Sequence, residues 1–126
     1  MFDHVGLNVS EYAKSRFFYE GALAPLGYSV MMVHEEWKLA GFGTGAKPDF
    51  WICQREPLTN GAHVAFQSTD RATVDAFHTA ALASGGQDNG APGPRPEYHA
   101  GYYSAFVFDP DRNNVEVVCH LPEDAA

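Results

Sequence analysis

Two histidines and one glutamate have the types and spacing to do chemistry together: His4, His63 and Glu116. The histidines open two copies of one pattern. His4-Val5-Gly6-Leu7-Asn8-Val9-Ser10 is matched, at a constant offset of 59, by His63-Val64-Ala65-Phe66-Gln67-Ser68-Thr69, and the match runs ungapped to Gly27 and Gly86. Eight of those 24 aligned pairs are identical. A duplicated strand-helix unit sets two imidazoles at equivalent positions on two strands, as a shared metal site requires. Glu116 alternates with Val115 and Val117 and shares a face with Val118 and His120, so a carboxylate falls in the middle of an apolar strand. A carboxylate is costly to bury there unless it is paired or bound to a cation. If the two repeats build one cupped sheet, two imidazoles and a carboxylate leave open coordination positions that suit Zn, Ni, Mn, Fe or Co. A metal-free arrangement of hydrogen-bonded histidines and a Glu–Arg pair uses the same residues.

The elements that must position these groups read clearly in most places. Phe2 to Val9 alternates, with Val5, Leu7 and Val9 on one face and His4, Gly6 and Asn8 on the other. Ser10 is the expected N-cap of an amphipathic helix from Tyr12 to Leu26, ended by Pro25 and Gly27. Tyr28–His34, Trp37–Phe42 and Asp49–Gln54 are three short strands, which completes a βαβββ unit. The second unit repeats the order. It has a strand over Ala62–Ser68, Thr69 as N-cap, and a helix that stops at Gly85-Gly86. The Gly- and Pro-rich stretch from Gln87 to Ala100 is expected to hold at most a short strand. Tyr102–Phe108 and Asn114–His120 are the last strands, joined by the turn Asp109-Pro110-Asp111-Arg112-Asn113, and Glu123, Asp124 and the final alanines form a frayed tail. The expected architecture is α+β: one domain over residues 1–126, built from module 1–58 and module 59–126 as tandem βαβββ units forming a cupped mixed sheet.

Composition limits the partners. With 126 residues and 45% hydrophobic content the chain can form one core, while two halves of about 60 residues are each marginal alone and must pack on each other or on a second chain. A net charge of -8, with eight scattered Lys and Arg residues, argues against nucleic acid. No run is long enough to span a membrane, and the chain opens directly on a strand pattern, so neither a membrane nor a targeting segment is expected. Cys53 and Cys119 lie singly in apolar strand patterns, which suits a reducing cytoplasm.

The paired modules, the opening histidines and the ending Asp109-Pro110-Asp111-x-x-Asn114-Val115-Glu116-Val117 resemble the vicinal oxygen chelate superfamily of glyoxalases, bleomycin-resistance proteins and extradiol dioxygenases, whose ending is DPDGNxxEL. Arg112 stands where a glycine is usual. The resemblance implies a metal-dependent lyase, isomerase or dioxygenase. His4, His63 and Glu116 would be its ligands, and its small substrate would chelate the ion through adjacent oxygens. It also implies a homodimer with ligands from both subunits.

In glyoxalase I a fourth ligand is a carboxylate; in this chain the repeat alignment puts Trp51 opposite Glu116, which favours a three-ligand site with the indole as a pocket wall. His99, Tyr98 and Tyr102, in a Gly/Pro-flanked loop, are candidate acid–base groups. Arg95, Asn8, Gln67 and His120 are candidate substrate contacts. The alternative is a small-molecule-binding protein of the bleomycin-resistance type, which needs no metal.

Overall fold

In a computed structural model, which describes residues 1–120, the strands form two four-stranded mixed sheets, one per module. The frayed tail expected around Glu123 lies outside the described residues. Module 1 comprises β1 (Val5–Val9), α1 (Tyr12–Leu23), β2 (Ser29–His34), β3 (Leu39–Gly43) and β4 (Phe50–Gln54), in sheet order β1-β4-β3-β2. Module 2 repeats this with β5 (His63–Gln67), α2 (Arg71–Ala83), β6 (Gln87–Pro94), β7 (Tyr103–Phe108) and β8 (Asn114–Cys119), in order β5-β8-β7-β6. The first and last strands of each module pair in parallel and the others antiparallel.

Alternation decides which face of each strand enters the core. In β1, Leu7 and Val9 are buried while Gly6 is exposed; in β5, Phe66 is buried while His63, Ala65 and Gln67 are exposed. The helices cover the apolar faces, α1 through Tyr12, Ser15, Phe18, Tyr19, Ala22 and Leu23, and α2 through Val74, Phe77 and Ala81. The two modules share one core. Phe66 of β5 meets Phe50 and Tyr28 edge-on at 5.4 and 5.6 Å, and α1 packs on α2.

Polar contacts at the β7–β8 turn lock the modules together. Asp109, 3% exposed, accepts hydrogen bonds from the Tyr19 hydroxyl (2.6 Å), the backbone N–H groups of Asp111 and Asn113 (both 2.9 Å) and the Asn113 amide (3.0 Å). Asp111 accepts from the Ser10 hydroxyl and backbone at 2.5 and 3.0 Å. Asn113 ties the connector between modules, donating to Thr59 O and accepting from Ala62 N–H. Arg112 adopts the left-handed conformation at φ 67°, so the turn keeps the backbone a glycine would give it.

Burial, then the charge of Asp109 and the hydrogen bond to it, push the Tyr19 phenol well above its ordinary value; burial also raises Tyr28 and Tyr103, each bonded to a carboxylate. A phenol raised in the folded state adds stability that is complete below the unfolded value of ~10 and is lost as pH rises through the folded one. The urea midpoint is therefore expected to fall above about pH 10, and to fall less steeply in Tyr19→Phe. Identical alkaline profiles for the two proteins would contradict this assignment.

Several boundaries differ from the sequence expectation. Glu11, not Ser10, occupies the N-cap of α1 and makes no side-chain cap, because Asp111 holds the Ser10 hydroxyl. Asp70, not Thr69, caps α2, accepting from Thr73 N–H at 2.7 Å. Helix α1 gives way to a 3-10 turn at Ala24–Leu26, consistent with Pro25. Trp37 lies in a 3-10 turn rather than a strand and is 63% exposed beside His34. β6 is an eight-residue strand where at most a short one is expected, paired to β7 with register shifts around Gly90.

The aligned glycines also do different work. Gly27 ends the 3-10 turn at φ 83°, whereas in module 2 Gly85 takes positive φ and Gly86 is packed so closely that a Cβ would lie 2.4 Å from Val107 Cγ1.

Candidate functional site

Parallel pairing of β5 with β8 places Ala65 opposite Glu116 and His63 opposite Asn114. From this exposed face the His63 ring reaches Glu116: Nε2 lies 2.8 Å from Oε1. The Glu116 side chain is only 1% exposed, while that of His63 is 53% exposed, so the carboxylate is shielded and the imidazole is open to approach. The other carboxylate oxygen accepts a hydrogen bond from the Tyr102 hydroxyl. Burial, and then this bond, push the Tyr102 phenol up from its ordinary value. Among the described residues the partners of Glu116 are thus an imidazole and a phenol, with no lysine or arginine ion pair.

Tyr102 is the hub of an aromatic cluster. His99 and His120 stack at 4.9 Å with their planes 16° apart, and Tyr102 meets both edge-on, at 5.1 and 5.2 Å. Tyr98 packs on the same phenol at 5.0 Å. Three candidate acid–base residues and His120 therefore gather on one side of Glu116. A cavity of about 490 Å³ opens there, lined by Arg71, Pro94, Pro96, Tyr102 and His120 among others. Arg95 stands over the Phe106 ring at 5.5 Å and donates to Ala91 O at 2.7 Å, and Phe106 in turn lies 6.2 Å from the His63 ring.

Module 1 presents the equivalent face with different chemistry. Trp51 pairs with Gly6 as Glu116 pairs with Ala65, and Gly6 and Ala65 are equivalent in the repeat, so register makes Trp51 the counterpart of Glu116. The indole lies against Gly41, where a Cβ would come within 2.8 Å of its ring. A cavity of about 420 Å³ over this face is lined by His4, Gly6, Asn8, Leu39, Trp51 and Cys53 with their neighbours. Asn8 lines it, but its amide is held by Pro57 O at 2.7 Å. His4 pairs with Asp3 at 2.7 Å, its side chain 58% exposed. Gln67 is exposed in a narrower cleft that also includes His4, Tyr28 and Phe50.

Within one chain, then, His63 and Glu116 come together and His4 stays apart from them. Among the described residues no group of three His, Cys, Asp or Glu side chains is placed to hold a metal ion. The reason is topological: His63 opens β5 while His4 directly precedes β1, which starts at Val5 rather than Phe2, and β1 and β5 each pair with the last strand of their own module. Sequence reasoning missed the Tyr102–Glu116 bond and the inter-module role of Asp109. The sole sequence signal for the latter is an acidic residue at the start of a turn.

The glyoxalase/bleomycin resistance protein/dioxygenase superfamily model matches residues 1–117. Among solved structures, a glyoxalase/bleomycin resistance protein from Albidiferax ferrireducens is similar with a TM-score of 0.83 and 27% identity, over 94% of this chain and 98% of that one. A family enzyme from Burkholderia phytofirmans matches at 0.70 and 20% identity, over 94% and 98% of the two chains. A glyoxalase I variant from Zea mays matches at 0.69 and 24% identity, over 93% of this chain and 46% of that one. A comparison with curated proteins gave no match.

Proposed function

The chain belongs to the glyoxalase/bleomycin resistance protein/dioxygenase superfamily, and from that premise we propose that it is a divalent-metal-dependent enzyme acting on a small substrate with two adjacent oxygens. The observation that carries the reading is Glu116, a buried carboxylate bonded to an open imidazole and, among the described residues, lacking a lysine or arginine ion pair. A buried carboxylate of this kind gains most from a cation. Imidazole nitrogen and carboxylate oxygen suit Zn, Ni, Mn, Fe or Co.

His63 and Glu116 of one chain would hold the ion together with His4 of a second copy, in a homodimer. Supporting this, His4 and His63 both have side chains more than half exposed in one chain. When bound, the ion supplies Lewis-acid polarisation of the substrate oxygens.

The chain's own groups do the rest. Tyr102 fixes the second oxygen of Glu116, so the carboxylate offers a defined oxygen to the site. Trp51 forms an apolar wall that admits compact substrates. His99 and Tyr98, packed around Tyr102, would move a proton at the substrate, and Arg95, Gln67 and His120 would contact it. The two free cysteines, Cys53 and Cys119, fit a reducing cytoplasm, and no helix of the described residues is long and apolar enough to cross a membrane.

Subunit mixing tests the proposal. His4→Ala and Glu116→Ala are each expected to purify without metal. Unfolded, mixed in equal amounts and refolded, they give hybrid dimers in which one of two sites regains all three ligands. About a quarter of the wild-type metal content is then expected, since half the dimers are hybrids. Recovery of metal would justify assays with diketones, catechols and thiol adducts. No recovery from a mixture shown to contain hybrid dimers would rule out a shared site. The competing reading is a metal-free binding protein, favoured by the way His63, Glu116 and Tyr102 already satisfy one another. A wild-type protein that takes up no metal would decide for it.

A further inference from the structure

A cavity of about 520 Å³ lies where α1, the end of α2, the start of β6 and the β7–β8 turn meet. It shares no lining residue with the cavities beside Trp51 and Tyr102. Its walls combine an apolar floor with two cations. Ala13, Phe17 and Pro110 supply the floor, and Phe17 is 63% exposed although it is a large aromatic group. Lys14 and Arg112 supply the charge, two of only eight basic residues in a chain of net charge -8.

Asp109, the acid in the lining, has both oxygens occupied by four donors of the protein itself, and neither the Lys14 ammonium nor the Arg112 guanidinium is among them. Lys14 pairs with Glu11 at 3.4 Å on the open surface. Arg112 is the more telling residue. It holds a left-handed backbone, φ 67°, that glycine adopts freely and arginine does not, and its guanidinium carbon stands over the Phe108 ring, 4.4 Å from the centroid. One of its five N–H donors engages Gln87 at 3.0 Å, the one hydrogen bond it makes among the described residues. A pre-oriented guanidinium beside an exposed aromatic ring is suited to a planar anion.

We infer that this cavity is a second binding site, separate from the Glu116 face, and that it takes a small aromatic carboxylate. The ring lies against Phe17 and Pro110, and the carboxylate bridges Arg112 and Lys14. The volume falls in the range of small-molecule sites, and Ser84 and Gln87 add neutral polar groups at the rim.

The test is titration of isotopically labelled, full-length protein with 2-naphthoate, followed by amide chemical shifts, on wild type, Lys14→Gln and Arg112→Gly. Glycine accepts the backbone of position 112, so that variant keeps the turn, and its spectrum reports whether the fold is retained. Saturable shifts at Lys14, Phe17, Ser84–Gln87 and Arg112, with affinity reduced about tenfold in each variant, are expected. Absence of saturable shifts up to about 10 mM, equal affinity in all three proteins, or shifts confined to residues around Trp51 and Glu116 would each overturn the inference. None of these outcomes depends on metal.

Discussion

Replacing Asp109 with alanine is expected to destabilise the protein by about 3–5 kcal/mol, a large share of the stability of a domain this size. Four donors lose their acceptor at once: a fully buried tyrosine hydroxyl, an asparagine amide and two backbone N–H groups. The Tyr19 ring is wedged among Phe18, Phe42 and Phe50, so its hydroxyl cannot swing out to water. Because Tyr19 belongs to α1 and Asp109 to the turn before β8, the loss loosens the joint between modules as well as the turn. Urea unfolding of Asp109→Ala, Tyr19→Phe and the double variant measures this. The two substitutions should couple by about 1–2 kcal/mol, since removing the hydroxyl also removes one of the orphaned donors. A loss below about 1 kcal/mol in Asp109→Ala would show that the turn repacks and that the joint is held by the apolar contacts alone.

The same residue shows where sequence reasoning stops. Asp109 is readable as a turn former, since its neighbours are all turn residues, but its partner Tyr19 lies 90 positions away and nothing local announces it. Ser10 fails as an N-cap for the same reason, its hydroxyl being taken by Asp111 at a separation of 101. β6 is missed because Gly and Pro make a poor strand by propensity, whereas pairing along β7 supplies the hydrogen bonds and the register shifts absorb the misfit. Trp37 is misread as the start of a strand because an aromatic residue favours strands, yet it closes the turn that the acidic pair Glu35-Glu36 opens.

What period-two alternation does encode comes through well: the buried faces of β1 and β5, the mid-strand position of Glu116, and the equivalence of Trp51 and Glu116 that register then bears out. Alternation fixes the face of a strand but not which sheets face one another. Hence the sequence pairs His4 with His63 by equivalence, while within one chain the fold brings His63 only to Glu116.

The charge of Glu116 can be separated from its packing by comparing two substitutions. Glu116→Gln keeps the volume and leaves hydrogen-bonding groups for both His63 and Tyr102, but it removes a carboxylate whose side chain is 1% exposed and, among the described residues, lacks a lysine or arginine ion pair. Burying a charge under those conditions carries a desolvation cost, so the metal-free Gln variant is expected to be as stable as the wild type or more so. Glu116→Ala instead opens a cavity and leaves the Tyr102 hydroxyl and His63 without their shared acceptor, at a cost of about 1–3 kcal/mol.

Metal uptake should respond in the opposite sense in the Gln variant. Disturbing a group that merely supports a ligand costs about 10–100-fold in affinity, so loss of the ligand's charge is expected to weaken binding by more than about a hundredfold. Calorimetric titration of metal into the apo-proteins, beside urea unfolding of the same samples, reads both quantities. A Gln variant that is at least as stable and does not bind metal identifies Glu116 as a group held at a folding cost for the sake of a cation. A Gln variant that binds as tightly as wild type removes Glu116 from the ligand set, and the His63–Glu116–Tyr102 chain then belongs to the packing of module 2.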